Sequence, residues 1–428
     1  MVNDSTKKRL SPTVTYLLTG LMFACPTLFA AGWFVPEWAL NIIGAGSLAL
    51  IHSLVLGFML TVAFGVLYQV VPIAFQAPPM PRHVFYWHLP IHILSVLIMI
   101  YGFVNFKMYY VAAGGTILCI GVILYLMILA SHYKKARNKT LVHRGLSFPV
   151  VSLVIVILIG LWQAGFPETV SSQLVFTHVL IGGLAFWGGL VLVISYKFIP
   201  MFALSHGYQA SLPRAKWLYF SGLVAIILGD WLLPLDRSLH LIGEFAIVVG
   251  CLAGISGIIS FVIDVWRILR ARKRKRMVNP VREALVALTC ITLGQLLLFI
   301  AISMASKELA LFSAYLFVFG GLVPLIFAYM QKIVPFLWFE YRFSKRPERK
   351  AAPLLDDMVP KQLSRFAIIL YFLGATMGLI VFVVAHLTGL QLDTIIRMIP
   401  GSIMAISTIL LFLALRHVLT IGGPRPED

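Results

Sequence analysis

Long apolar runs separated by short polar stretches occupy the chain from about residue 13 to residue 417. A helix needs about 20 predominantly apolar residues to cross a bilayer. Windowed hydropathy predicts twelve such spans, near 13–33, 39–74, 84–105, 108–131, 146–165, 173–204, 216–234, 239–266, 283–304, 309–338, 364–389 and 395–417. An even number of spans puts both termini on one side. The predicted fold class is all-α, a polytopic membrane protein.

Composition agrees with this reading. Of the 428 residues, 60% are hydrophobic and 12% charged, with a mean hydropathy of +0.94; a soluble domain is about half apolar and one quarter charged. No polar stretch is long enough to form a soluble catalytic domain. The net charge of +18, from 34 Lys+Arg against 16 Asp+Glu, would suggest nucleic acid in a soluble chain. Here it lies in short loops, with no polar domain to present a binding face, so nucleic acid is excluded as a partner. Alternate connections are basic. One set carries Arg82, then Lys134, Lys135, Arg137, Lys139 and Arg144, then Arg214 and Lys216, then the run Arg267 to Arg282, then Arg342 to Lys361. The opposite set carries Lys107, Arg237, Lys307 and Arg397 beside Glu37, Glu168, Asp236, Glu308 and Asp393. Basic loops stay on the cytoplasmic side. Both termini are therefore expected in the cytoplasm, in a bacterial cytoplasmic membrane whose anionic lipids the basic loops also attract. The opening MVNDSTKKRLSPTV leads into a run too long for a cleaved signal, which is expected to stay as the first span. Cys25, Cys119, Cys251 and Cys290 all fall in apolar runs without ligand spacing and read as small buried apolar residues.

A pattern recurs four spans apart. The second span reads HSLVLGFMLTVAFGVLYQVVPIAF from His52, the sixth HVLIGGLAFWGGLVLVISYKFIPMF from His178, and the tenth YLFVFGGLVPLIFAYMQKIVPF from Tyr315. Tyr68-Gln69-x-x-Pro72, Tyr196-Lys197-x-x-Pro200 and Gln331-Lys332-x-x-Pro335 mark one exit three times. The spacing predicts three four-helix repeats, approximately 13–131, 146–266 and 283–417, set as three arcs with the spans bearing His52, His178 and Tyr315 innermost.

Twelve spans in three arcs, cytoplasmic termini and an outer-half histidine on the second span resemble the subunit I fold of the heme-copper oxidases. The stretch around His52 is similar to the second span of the NnrS-type relatives of that superfamily, where a His precedes a Gly-aromatic pair and a Pro ends the helix. The resemblance covers the whole chain in topology and short stretches in sequence. It implies a heme site with His52 at the position of the low-spin ligand. The chain also departs from the family. The sixth span has no His-Pro-Glu-Val-Tyr element, no His-His pair occurs anywhere, and Ser313-Ala314-Tyr315 stands where the tenth span would supply His-x-His. These departures predict no copper centre of the oxidase type and no conventional terminal-oxidase activity.

Ionisable groups inside a membrane are costly and mark function or pairing. On the predicted orientation His52, His178, His240 and His386 lie toward the outer side, and His88 and His92 toward the cytoplasmic side. A neutral imidazole is an iron ligand, and a heme, expected to be b-type, needs an apolar slot with a cation near the propionates. His52 and His178 are the candidate axial ligands, with His386 the alternative partner; each also suits an ordinary interhelical hydrogen bond. Arg397 is the candidate propionate contact, or it pairs with Asp393 one turn away. His240 and Glu244 share a helix face as a hydrogen-bonded pair, a metal site or a proton relay. His88-Leu-Pro-Ile-His92 has the spacing of a two-ligand metal face or relay, with no carboxylate or Cys beside it in sequence. Lys197 and Lys332 are expected to snorkel toward the interface. Three functional readings follow. The first is a heme-binding membrane protein in heme handling, electron transfer or nitric-oxide-related physiology, with a redox or heme-related protein partner. The second is a multi-pass transporter or channel built on the threefold repeat. The third is a structural subunit of a larger complex.

Overall fold

A computed structural model of the chain describes residues 12–40, 43–137, 139–273, 276–343, 352–388 and 393–422. The basic N-terminal segment, part of the Arg342–Lys361 stretch and most of the loop before Asp393 lie outside these residues. The protein is an all-α polytopic membrane protein. Among the described residues twelve helices are long and apolar enough to cross a bilayer: α1 Pro12–Phe34, α2 Ala45–Gln69 and helical on to Phe75, α3 Arg82–Val104, α4 Met108–Tyr133, α5 Leu141–Gly165, α6 Ser172–Ala203, α7 Leu212–Leu232, α8 Arg237–Arg270, α9 Asn279–Ser303, α10 Lys307–Arg342, α11 Lys361–Thr388 and α12 Thr394–Val418. Several begin at polar caps that satisfy the first free backbone N–H groups. Asp236 accepts from the N–H groups of Ser238 and Leu239, Ser171 from Leu174 and Ser306 from Leu309.

The three spans with the recurring pattern are the three most buried. In their most apolar windows 56% of α2, 67% of α6 and 61% of α10 is buried, against 28–50% in the other nine. They share a second feature, a π-helical segment: Ser53–Leu60 in α2, Leu180–Gly188 in α6 and Leu316–Leu322 in α10. His52 and Tyr315 immediately precede their segments, and His178 precedes its segment by two residues. A third shared feature corrects an expectation. Pro72, Pro200 and Pro335 do not end their helices but lie within them, with helix continuing to Phe75, Ala203 and Arg342. A proline removes one ladder bond, to the carbonyl four residues back, and the next residues still donate to carbonyls beyond it. Helices α2 and α6 then close in the same way. Gln76 (φ 53°) and Leu204 (φ 55°) turn left-handed, and the next N–H groups, of Ala77 and Ser205, reach back to the Pro72 and Pro200 carbonyls. This is the six-to-one closure that satisfies terminal carbonyls.

The chain divides into two compact units. One comprises Met1–Phe106, Leu124–Ala136 and Ile326–Asp428; the other comprises Lys107–Ile123 and Arg137–Leu325. In the first, α1 packs against α2, α11 and α12. Gly32 and Gly401 permit the α1/α12 contact, since a Cβ on Gly32 would lie 2.7 Å from the Arg397 carbonyl oxygen. In the second unit α7 and α8 run antiparallel along a seam at heptad steps, with Gly222 against Gly250, Gly229 against Gly243 and Ala215 against Gly257. A Cβ on Gly250 would lie 2.7 Å from the Gly222 oxygen, and one on Gly229 would lie 2.6 Å from the Gly243 oxygen. Lipid is as apolar as any side chain, so helices in a membrane associate through this kind of close backbone contact.

Candidate functional site

A π segment bonds each N–H to the carbonyl five residues back and leaves a carbonyl of the α ladder to be satisfied elsewhere. Without water in the bilayer core, that partner must come from protein. In the first unit it comes from α3 and from α2 itself. His92 Nε2 lies 3.1 Å from the Leu56 carbonyl oxygen and 3.0 Å from Thr61 Oγ1. Thr61 donates to the Gly57 carbonyl at 2.7 Å. A carbonyl only accepts, so His92 Nε2 carries the proton and Nδ1 holds the lone pair. One turn earlier, His88 Nδ1 is 2.8 Å from the Tyr16 hydroxyl of α1. The two imidazoles are 1% and 2% exposed. Phe64 stands edge-on to both rings, and Tyr125 lies against His88 while donating to the Phe64 carbonyl at 2.8 Å. His88 Nε2 and His92 Nδ1 are buried with no hydrogen-bond partner among the described residues. An unmet buried polar atom costs about 1–3 kcal/mol.

His52 sits at the entry to the same π segment. Its Nδ1 lies 2.8 Å from the Leu48 carbonyl oxygen, one turn back, and its ring stacks on Phe103 at 4.4 Å between centroids. The same reasoning puts the proton on Nδ1 and the lone pair on Nε2. Arg397, half-buried on α12, lies with its guanidinium carbon 5.1 Å from the centre of the Trp33 ring, a cation–π contact. Asp393 instead caps α12 by accepting from the Ile395 N–H at 2.8 Å, so a side-chain pair with Arg397 is not formed. Arg397 Nε is buried without a hydrogen-bond partner among the described residues. His386 lies near the end of α11, half-buried.

The second unit meets the same backbone need without histidine. The Tyr219 hydroxyl of α7 lies 2.9 Å from the Leu184 carbonyl oxygen of the π segment and 2.5 Å from Gln295 Oε1 of α9. Gly188 makes room for this pair, because any Cβ there would overlap both groups. His178 lies beside α5, where a Cβ on Gly160 would come within 2.9 Å of His178 Cε1. Its neighbour Thr177 accepts from Trp231 Nε1 at 3.0 Å.

His240 and Glu244 come together as expected, with Nε2 3.4 Å from Oε1, at side-chain exposures of 46% and 59%. His240 also bonds the Leu233 carbonyl through Nδ1 at 2.7 Å. Such exposure fits a surface pair near a helix start. Among the described residues no group of three or more His, Cys, Asp or Glu side chains converges as a metal site. Lys332 does not simply snorkel; its Nζ bonds Asp356 Oδ1 at 2.6 Å, both side chains being largely buried.

Sequence reasoning passed over Asp264. This fully buried carboxylate accepts from the Tyr196 hydroxyl and the Ser211 N–H, both at 2.8 Å, with Arg267 at 3.5 Å. It fastens the connection between α6 and α7 to the end of α8, where Ser205 and Arg272 form an isolated antiparallel bridge. An acid inside the apolar run ISFVIDVW was the available signal, since charge there demands a partner. Tyr16, Thr61, Tyr219 and Gln295 were also missed, and single polar residues in apolar spans give no comparable signal. No protein-family model matches the chain, and no curated protein matches it.

Proposed function

We propose that the protein is a heme-binding integral membrane protein, related to the heme-copper oxidase superfamily but without an oxygen-reducing centre, in which His52 is the axial ligand. The observation that carries this reading is the bond from His52 Nδ1 to the Leu48 carbonyl at 2.8 Å. Histidines that bind metal donate their other ring N–H to a carbonyl or carboxylate, which sets the tautomer and aims the lone pair. Phe103 stacks on the ring and restrains its rotation. Arg397, with a buried Nε lacking a hydrogen-bond partner among the described residues and a guanidinium over Trp33, is suited to a propionate. His178 is the candidate second ligand, with His386, which lies in the same unit as His52, the alternative. A heme bound by His52 supplies a one-electron couple, which suits electron transfer, heme handling or nitric-oxide-related chemistry with a redox or heme-related partner. The basic connections support cytoplasmic termini in a bacterial membrane.

The test is the absorption spectrum of the detergent-purified chain. A Soret band with reducible α and β bands, weakened or lost in His52→Ala, is the expected result. A colourless protein would favour the transporter or channel reading instead.

A further inference from the structure

We propose that His88 and His92 together bind one copper(I) ion in the interior of the first unit. The site does not involve His52 and stands independently of the heme reading. Each imidazole already has one nitrogen fixed by an outer partner, His88 Nδ1 by the Tyr16 hydroxyl and His92 Nε2 by the Leu56 carbonyl and Thr61. For His92 this is the arrangement that orients metal-binding histidines, and for His88 it becomes so when Nδ1 donates to the Tyr16 oxygen. The remaining nitrogens, His88 Nε2 and His92 Nδ1, are buried and without hydrogen-bond partners among the described residues. Both belong to side chains at least 98% buried by the exposures of 1% and 2%. Capping of the π segment explains one nitrogen of His92 and nothing of His88.

The spacing of the rings, set by four residues of helix rise, admits a shared ion once side-chain rotation turns the two nitrogens toward each other. Their centroids are 5.9 Å apart with planes 17° from parallel. Two imidazoles held to one first-row ion by bonds of about 2 Å put their ring centres roughly 6 Å apart. The charge of the surroundings selects the ion. Aromatic rings and hydroxyls line the pair, and no carboxylate or thiolate joins it into a larger ligand set among the described residues. The cost of burying an ion grows with the square of its charge, so a divalent ion between two neutral ligands costs about four times a monovalent one. Imidazole suits copper, and copper(I) is a monovalent ion content with two nitrogen ligands. Zinc, which takes four ligands in closed sites, is disfavoured.

Competition against a chromophoric copper(I) chelator under reducing conditions tests the site on the full-length purified protein. The wild type should retain one equivalent of copper(I), with two imidazole nitrogens as its nearest scatterers in X-ray absorption. H88Q and H92Q should each lose it, while H52A should bind as wild type does. H92Q keeps an amide N–H for the Leu56 carbonyl, so its melting temperature should stay near that of wild type and separate loss of the site from loss of the fold. Tyr16→Phe should weaken binding by about tenfold, the effect of removing an outer partner. No copper held against the chelator, equal retention in H88Q and H92Q, or zinc bound as tightly as copper(I) would each overturn the proposal.

Discussion

The π segments of α2 and α6 pose one backbone problem and receive two different solutions. In α2 the Leu56 carbonyl is bound by an imidazole from α3 and the Gly57 carbonyl by the hydroxyl of Thr61. In α6 the Leu184 carbonyl is bound by a phenol from α7, which also contacts an amide from α9. Tyr219 and Gln295 fill the space that Gly188 leaves open, and the Tyr219 hydroxyl is engaged by the Leu184 carbonyl and Gln295 Oε1. His92 is different, because an imidazole that donates through one nitrogen still presents the lone pair of the other. Satisfying a π segment thus requires a donor, and the choice of histidine leaves chemistry to spare. His88 sharpens the contrast, since it caps nothing in the segment and bonds Tyr16 instead.

Four substitutions probe that contrast through thermal unfolding in detergent. Gly188→Ala should cost most, about 2–3 kcal/mol, because its Cβ overlaps Tyr219 and Gln295 and overpacking has this scale. Tyr219→Phe should cost about 1–2 kcal/mol by removing the donor to the Leu184 carbonyl; buried hydrogen bonds between membrane helices reach about 1.7 kcal/mol. His92→Leu should cost about 1 kcal/mol, less than Tyr219→Phe, since Thr61 Oγ1 also lies 3.3 Å from the Leu56 oxygen. Thr61→Val should cost a few tenths to about 1 kcal/mol, within the range of single interhelical bonds. Equal effects of Tyr219→Phe and Thr61→Val would contradict the view that the two caps differ in redundancy.

The spans were legible because hydropathy needs no tertiary information: all twelve predicted runs overlap the twelve observed helices. Pro72, Pro200 and Pro335 read as exits because a proline near a helix end looks like a terminator, whereas three, three and seven helical residues follow them. The π segments were illegible for a different reason. One residue inserted into a helical turn shifts the backbone bonding while leaving the run of apolar residues unchanged, as in SLVLGFML. What the sequence did carry was their position, through the His52, His178 and Tyr315 pattern that precedes them. For the site, the i,i+4 spacing of His88 and His92 announced a shared helix face. Tyr16 could not be paired with His88 from sequence, because 72 residues separate them and the contact depends on how α1 meets α3. Arg397 was recognised as a cation at the outer end of a span, but its choice of Trp33 over Asp393 follows from the cap that Asp393 makes with its own helix.

The central claim is that His52, and not the His88–His92 pair, holds heme. Absorption spectra of the wild type, His52→Ala and His88→Ala, purified in parallel and normalised to protein, test it most directly. A Soret band in the wild type that is lost or weakened in His52→Ala and unchanged in His88→Ala is the predicted result. A band that survives His52→Ala but disappears in His88→Ala, or a wild type with no band at all, would contradict it.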